Sequence, residues 1–190
     1  MMLRYWGLTA LLLGMVLPAA AETLDINLSG DAAEISYIRP LNNDGLEAGG
    51  GLLHHDDDGD IFAADFHLVD RPEPGRNALV LGIGGKLPVV MDDLRDADGA
   101  ALAIGGKLRW TLPEYNRIGV AGSAYYAPSA TSVSDVDGYQ EYRIQGEFRL
   151  LEEADVYVGY RGIELSYDGD EFGADRDFED GVYAGFNIDF

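Results

Sequence analysis

The chain has 190 residues, which fits one domain, with 47% hydrophobic and 11% aromatic residues and no cysteine. The missing cysteine excludes a disulfide framework, a thiol nucleophile, a cysteine-based zinc site and a lipid-modified cysteine. A formal net charge of -21, from 13 basic and 34 acidic residues, repels nucleic acid, while the apolar content opposes the disorder that acidity otherwise signals.

The chain opens with Arg4 as its only charge before Glu22, an apolar run over residues 8–20, and the small residues Ala19-Ala20-Ala21. A positive start, a short apolar stretch and a small-residue site describe a secretory signal peptide. The run is shorter than the ~20 residues of a spanning helix. The expectation is a signal peptide over residues 1–21, cut between Ala21 and Glu22, and a mature domain over residues 22–190.

From Glu22 onward a two-residue period dominates, as in strands whose successive side chains point to opposite faces. Leu24, Ile26 and Leu28 alternate with Asp25 and Asn27, and Ser29-Gly30-Asp31 is a tight turn. Ala33, Ile35 and Tyr37 then alternate with Glu34 and Ser36, before a turn over residues 40–45 with Pro and Asp-Gly chemistry. Residues 46–54 are glycine-rich, and residues 55–60 read as a polar loop. Phe62, Ala64, Phe66 and Leu68 oppose Ala63, Asp65 and His67, followed by a turn at 71–76 and a strand from Leu79 to about Lys86. Residues 88–98 read as a longer aspartate-rich loop.

Ala100, Leu102, Ile104, Gly106, Leu108 and Trp110 then face one way, and Lys107 and Arg109 the other. After a short turn, Ile118, Val120, Gly122, Ala124 and Tyr126 form the next apolar face, ending in a polar loop over 128–138. Tyr142, Ile144, Gly146, Phe148 and Leu150 oppose Glu141, Arg143, Gln145, Glu147 and Arg149. Val156, Val158 and Tyr160 lead to an acidic loop at 168–177. Val182, Ala184, Phe186, Ile188 and Phe190 close the chain on an aromatic.

These segments make about ten strands, with eight as the alternative count, in a single antiparallel up-and-down transmembrane β-barrel. Taking the start as periplasmic, short turns fall on one side and longer loops on the other, the rule for outer-membrane barrels. Phe62, Tyr126, Tyr142 and Tyr160 sort towards the loop end, and Tyr37, Trp110, Phe148 and Phe190 towards the turn end. Two such girdles belong at the headgroup levels. A soluble lipocalin-like binding protein of the periplasm, with its apolar faces turned inward, is the alternative.

The export segment, the glycine-rich alternating strands, residues 102–110 and 142–150, and the ending Tyr183-Ala184-Gly185-Phe186-Asn187-Ile188-Asp189-Phe190 resemble the YfaZ family of small bacterial outer-membrane proteins. The resemblance implies the barrel and its outer-membrane location, and a porin-like label. It brings no catalytic motif. Phe186, Ile188 and Phe190 match the C-terminal signature of such barrels, which implies the barrel-assembly machinery as a partner. Outer-membrane lipid and lipopolysaccharide are the other expected partners, and the expected state is a monomer.

Inward positions carry Asp65, His67, Lys107, Arg109, Glu141, Arg143, Glu147, Arg149 and Arg161. In so narrow a barrel the lumen is filled by side chains, and buried ions need partners. The expectation is therefore a plugged polar lumen with a structural or interaction role. A narrow channel for ions or small solutes is the alternative. His67 and Asp65 could form a general-base pair, but no nucleophile is marked, so the reading is not an enzyme. His54 and His55 read as solvated. Asp56-Asp57-Asp58-Gly59-Asp60, Asp96-Ala97-Asp98-Gly99 and Asp168-Gly169-Asp170 resemble calcium-loop fragments without the full ligand spacing. No cofactor or metal site is assigned.

Overall fold

A computed structural model describes residues 22–70, 79–94, 97–167 and 176–190. The signal peptide, the 71–76 turn and most of the acidic 168–177 loop lie outside the described residues. The strands are β1 (Thr23–Leu28), β2 (Ala32–Pro40), β3 (Leu46–His55), β4 (Gly59–Asp70), β5 (Leu79–Asp92), β6 (Ala97–Ala101), β7 (Ala103–Leu112), β8 (Tyr115–Ala127), β9 (Ser132–Ser134), β10 (Val136–Leu151), β11 (Ala154–Tyr167) and β12 (Arg176–Asp189). All pairings are antiparallel, and β1 pairs with β12, so the sheet closes on itself as a ten-stranded barrel. In that count β6 and β7 are two parts of one barrel strand, interrupted at Leu102, and β9 belongs to an outer loop.

The ends of the chain complete the closure. Glu22 and Phe190 exchange both backbone hydrogen bonds at 2.9 Å, one pair beyond the last ladder residues Thr23 and Asp189. No edge strand is left on the wall, which removes the unpaired backbone groups that lipid would not tolerate.

Polarity is inverted relative to a soluble protein. Ile35, Phe66, Ile83, Ile104, Ile144, Val158 and Val182 are exposed on the outside, whereas Glu34, Glu141, Glu147, Asp155 and Arg161 are buried inside. A contiguous apolar exterior on this scale is a surface for lipid. It also disposes of the soluble lipocalin-like alternative, which needed those same faces turned inward. All eight girdle aromatics are exposed on the outer wall, and Tyr142 stacks on Tyr160 with ring centroids 6.4 Å apart.

Two predicted loops are shorter than the sequence suggested. β5 continues through Pro88 to Asp92, and β6 begins at Ala97, so residues 88–92 and 97–98 belong to two paired strands. Proline cannot donate to a ladder. Pro88 lies where β5 changes partner, between the Lys86–Ala103 and Val89–Ala100 pairs, so the missing donor coincides with the interruption of the neighbouring strand. At that interruption the Leu102 amide donates instead to the Thr131 carbonyl at 2.8 Å. Likewise the 128–138 loop is ordered: a single 3-10 turn, Ser129–Thr131, leads into β9, which pairs with β6.

Candidate functional site

The lumen is the one place where the fold gathers polar side chains away from lipid. Its floor plan follows from glycines as much as from charges. His67, Gly84, Gly105 and Tyr125 are consecutive partners across β4, β5, β7 and β8. A Cβ on Gly84 would come within 2.7 Å of the His67 ring, and one on Gly105 would strike the Tyr125 ring. The two glycines therefore clear a trough in which His67 and Tyr125 lie flat against the wall and meet, Nε2 to hydroxyl, at 2.7 Å. Gly159 makes the same room for Tyr183, whose hydroxyl donates to Gln145 at 2.6 Å.

Above this level, towards the outer loops, an apolar cluster fills the lumen beside a few paired charges, among them Asp92 with Arg176 and Tyr167. Leu53, Ile61, Val90, Ala97, Ala101, Val136, Tyr139, Ile163, Leu165, Tyr167 and Phe178 are buried together as one cluster. The expectation was a largely filled polar lumen, and the outer half is filled mainly by apolar side chains. At Gly99 of β6 a Cβ would strike Val136 of β10, so the wall is thin where that side chain packs.

The middle of the lumen is an ion-pair lattice. Glu34 of β2 accepts from both Nη1 and Nη2 of Arg143, at 2.7 and 2.8 Å, from Arg161 at 2.5 Å and from Asn27 at 3.0 Å. Glu141 accepts from Lys86, from Arg143 Nε at 2.7 Å and from the Tyr139 hydroxyl at 2.5 Å. Arg161 is 0% exposed, reaches Glu179 at 3.3 Å and stands over the Tyr183 ring at 5.3 Å. Lower down, Lys107 pairs with Glu47 at 2.7 Å, and Arg109 with Glu147 at 2.6 Å and with Asp155. Arg149 stands 3.4 Å from Asp155.

Of the residues named from the sequence, Asp65, His67, Lys107, Arg109, Glu141, Arg143 and Glu147 line one lumen cavity, Arg161 is buried beside it, and Arg149 is part-exposed at 39%. Their partners Glu34, Glu47, Lys86, Asp155 and Glu179 were missed, although Glu34 and Glu47 lie on the polar phase of alternating strands. Lys86 and Glu179 sat at predicted strand ends, where phase is hard to read.

The histidines divide differently from the reading as solvated. His54 is exposed beyond the outer girdle and bonds Asp60 at 2.8 Å, which holds its pKa above the ordinary histidine value. His55 turns inward instead, edge-on to Phe178 and 3.5 Å from Glu179. His67 is 2% exposed; its Nδ1 is 3.0 Å from Asp65 Oδ2 without hydrogen-bond geometry. Among the described residues no group of three or more histidine or acidic side chains is arranged to hold a metal ion. A cavity of about 540 Å³ occupies the inner half of the lumen, from Glu141 and Tyr125 down to Thr23, Pro40 and Asp189 at the periplasmic rim.

Comparison with known proteins agrees with this picture. The family model described as YfaZ precursor matches residues 3–190. Outer membrane protein YfaZ of Escherichia coli strain K12 is 30% identical over 183 residues, covering 94% of this chain and 96% of the relative. Among solved structures, a chain from work on in-meso crystallization of membrane proteins aligns over 90% of this chain and 83% of its own, at TM-score 0.48 and 12% identity. KdgM porin in complex with disordered oligogalacturonate aligns over 90% of this chain and 99% of its own, at TM-score 0.47 and 8% identity. With its closed lipid-facing wall and a family match that runs to the final phenylalanine, the chain belongs to the YfaZ family and is a protein of the outer membrane.

Proposed function

We propose that this barrel does not conduct and that its role is structural or interactive, with the acidic outer loops as the surface it offers outside. The observation that carries this reading is the buried apolar cluster across the outer half of the lumen, built from Val90, Tyr139, Leu165 and Phe178, whose charged neighbours Asp92, Arg176 and Glu179 are paired with other side chains. An ion crossing that layer would shed its hydration among packed apolar side chains and charges already paired with one another. The lattice below supports the same reading, because its charges face one another rather than water.

The barrel sits in outer-membrane lipid and lipopolysaccharide as a monomer, delivered by a signal peptide cut between Ala21 and Glu22. Support for that cut is the small-residue run Ala19-Ala20-Ala21 behind a short apolar stretch. The assembly machinery reads Phe186, Ile188 and Phe190 on the closing strand. Enzymatic use of His67 is not part of the reading, since its Nε2 is held by Tyr125 rather than by a serine or a solvent-facing group.

Planar-bilayer recording tests the proposal. The refolded wild-type barrel inserts and leaves the membrane resistance unchanged. Reproducible single-channel steps of one size would overturn the reading in favour of the narrow porin-like channel.

A further inference from the structure

The cavity at the inner end of the lumen has a size, an entrance and a charge that together define a ligand. About 540 Å³ lies within the range of small-molecule sites. The entrance is at the periplasmic rim, beside Thr23 and Asp189, and the apolar cluster closes the far end.

The lining carries four cations, Lys86, Lys107, Arg109 and Arg143, against six carboxylates. Each cation already bonds a lumen carboxylate. An anionic ligand would have to break one of these pairs and leave a buried carboxylate alone, a costly exchange. Two lining carboxylates, Asp65 and Asp189, have no such cation. Asp65 stands opposite Lys86 in register, yet Lys86 turns away to Glu141. The Asp65 carboxylate instead lies against Gly49, where a Cβ would come within 2.6 Å of its Oδ1.

Beside it is a buried polar atom without a partner, His67 Nδ1, on a side chain that lines the same cavity. Nδ1 and Asp65 Oδ2 are 3.0 Å apart with no hydrogen bond between them. An ammonium seated to the cavity side of the pair, within reach of both, would satisfy both when Nε2 carries the ring proton towards Tyr125. The Tyr125 ring, which Lys86 Nζ approaches to 5.5 Å, adds a face that favours positive charge.

We propose that this cavity is a binding site for a small organic cation, entering from the periplasm, whose ammonium is received by Asp65 beside His67. The site is independent of whether the outer layer conducts, since conductance and binding are separate measurements. The protein used is the full mature barrel, refolded in detergent and titrated calorimetrically with putrescine and, in parallel, with its neutral diacetyl derivative. Wild type takes up putrescine saturably at one site and ignores the diacetyl form. Asp65→Asn weakens binding roughly ten- to a hundredfold, the effect of losing one charge-assisted hydrogen bond. Asp56→Asn/Asp57→Asn, on the outer loop, leaves it unchanged.

Ala63→Leu fills the cavity from β4 without touching a charge and abolishes uptake. It also decides the matter if Asp65→Asn fails to give a heat-modifiable band. Absence of saturable heat into the millimolar range overturns the proposal. So does uptake that survives Ala63→Leu, or uptake that falls equally with the outer-loop variant, which would mark general attraction to an acidic protein.

Discussion

At the scale of single residues, the lumen makes Glu34 the side chain with most to lose. Its carboxylate holds Arg143 and Arg161 together, and the Arg161 guanidinium is fully buried. Glu34→Ala leaves Arg143 to Glu141 and the buried Arg161 to Glu179 at 3.3 Å, and the loss of their shared partner should cost about 3 kcal/mol, read as a lower urea midpoint in detergent micelles. Glu34→Gln keeps the volume and some hydrogen bonds, so its loss should be smaller. The glycine trough gives a second test. Gly84→Ala places a methyl against the His67 ring and the opposing backbone, and overpacking of this kind costs about 1–3 kcal/mol. Gly146→Ala, on the lipid face of β10 with nothing within 4 Å of the new carbon, should leave the heat-induced gel shift of the barrel where it is. If the two variants lose stability equally, the trough is not what these glycines are for.

At the scale of elements, each strand is a partition between two solvents. Ile144 and Gln145 are neighbours on β10, the first exposed to lipid and the second reaching Tyr183 and Glu147 inside. Ile144→Arg puts a charge near the middle of the hydrocarbon, worth about 2–4 kcal/mol against the barrel. Refolding yield into lipid vesicles should drop, with less effect in short-chain detergent. The closing strand adds a separate prediction. Phe190 contributes backbone bonds to Glu22 whatever its side chain. Phe190→Ala should therefore refold in detergent almost as wild type does, while assembly in cells falls, if the ring is read by the assembly machinery. Equal loss in both settings would make the ring a packing residue.

The alternation that fixed these faces was plain in the sequence, and so were the C-terminal strand and both girdles. Loop lengths were not. Residues 88–92 looked like a loop because Pro88 and the aspartates advertise turns. The structure keeps them in β5 because the partner strand is broken at the same height. That compensation depends on a neighbour, so no local pattern could reveal it.

On the scale of the whole molecule, the barrel is an asymmetric vessel, apolar and closed towards the outer loops, charged in the middle, and hollow towards the periplasm. The alternating pattern of residues 22–190 by itself determined that the chain is built of strands and which side chains share the polar face. A period of two assigns every residue to one of two faces, and no distant partner is needed to read it. Only tertiary structure decided which inward charges meet. Glu34 and Arg143 are separated by 109 positions, and they are joined because closure brings their strands across the lumen from each other. It also decided that the outer half is dry and the inner half hollow, because packing across a closed lumen depends on register and on where glycines thin the wall.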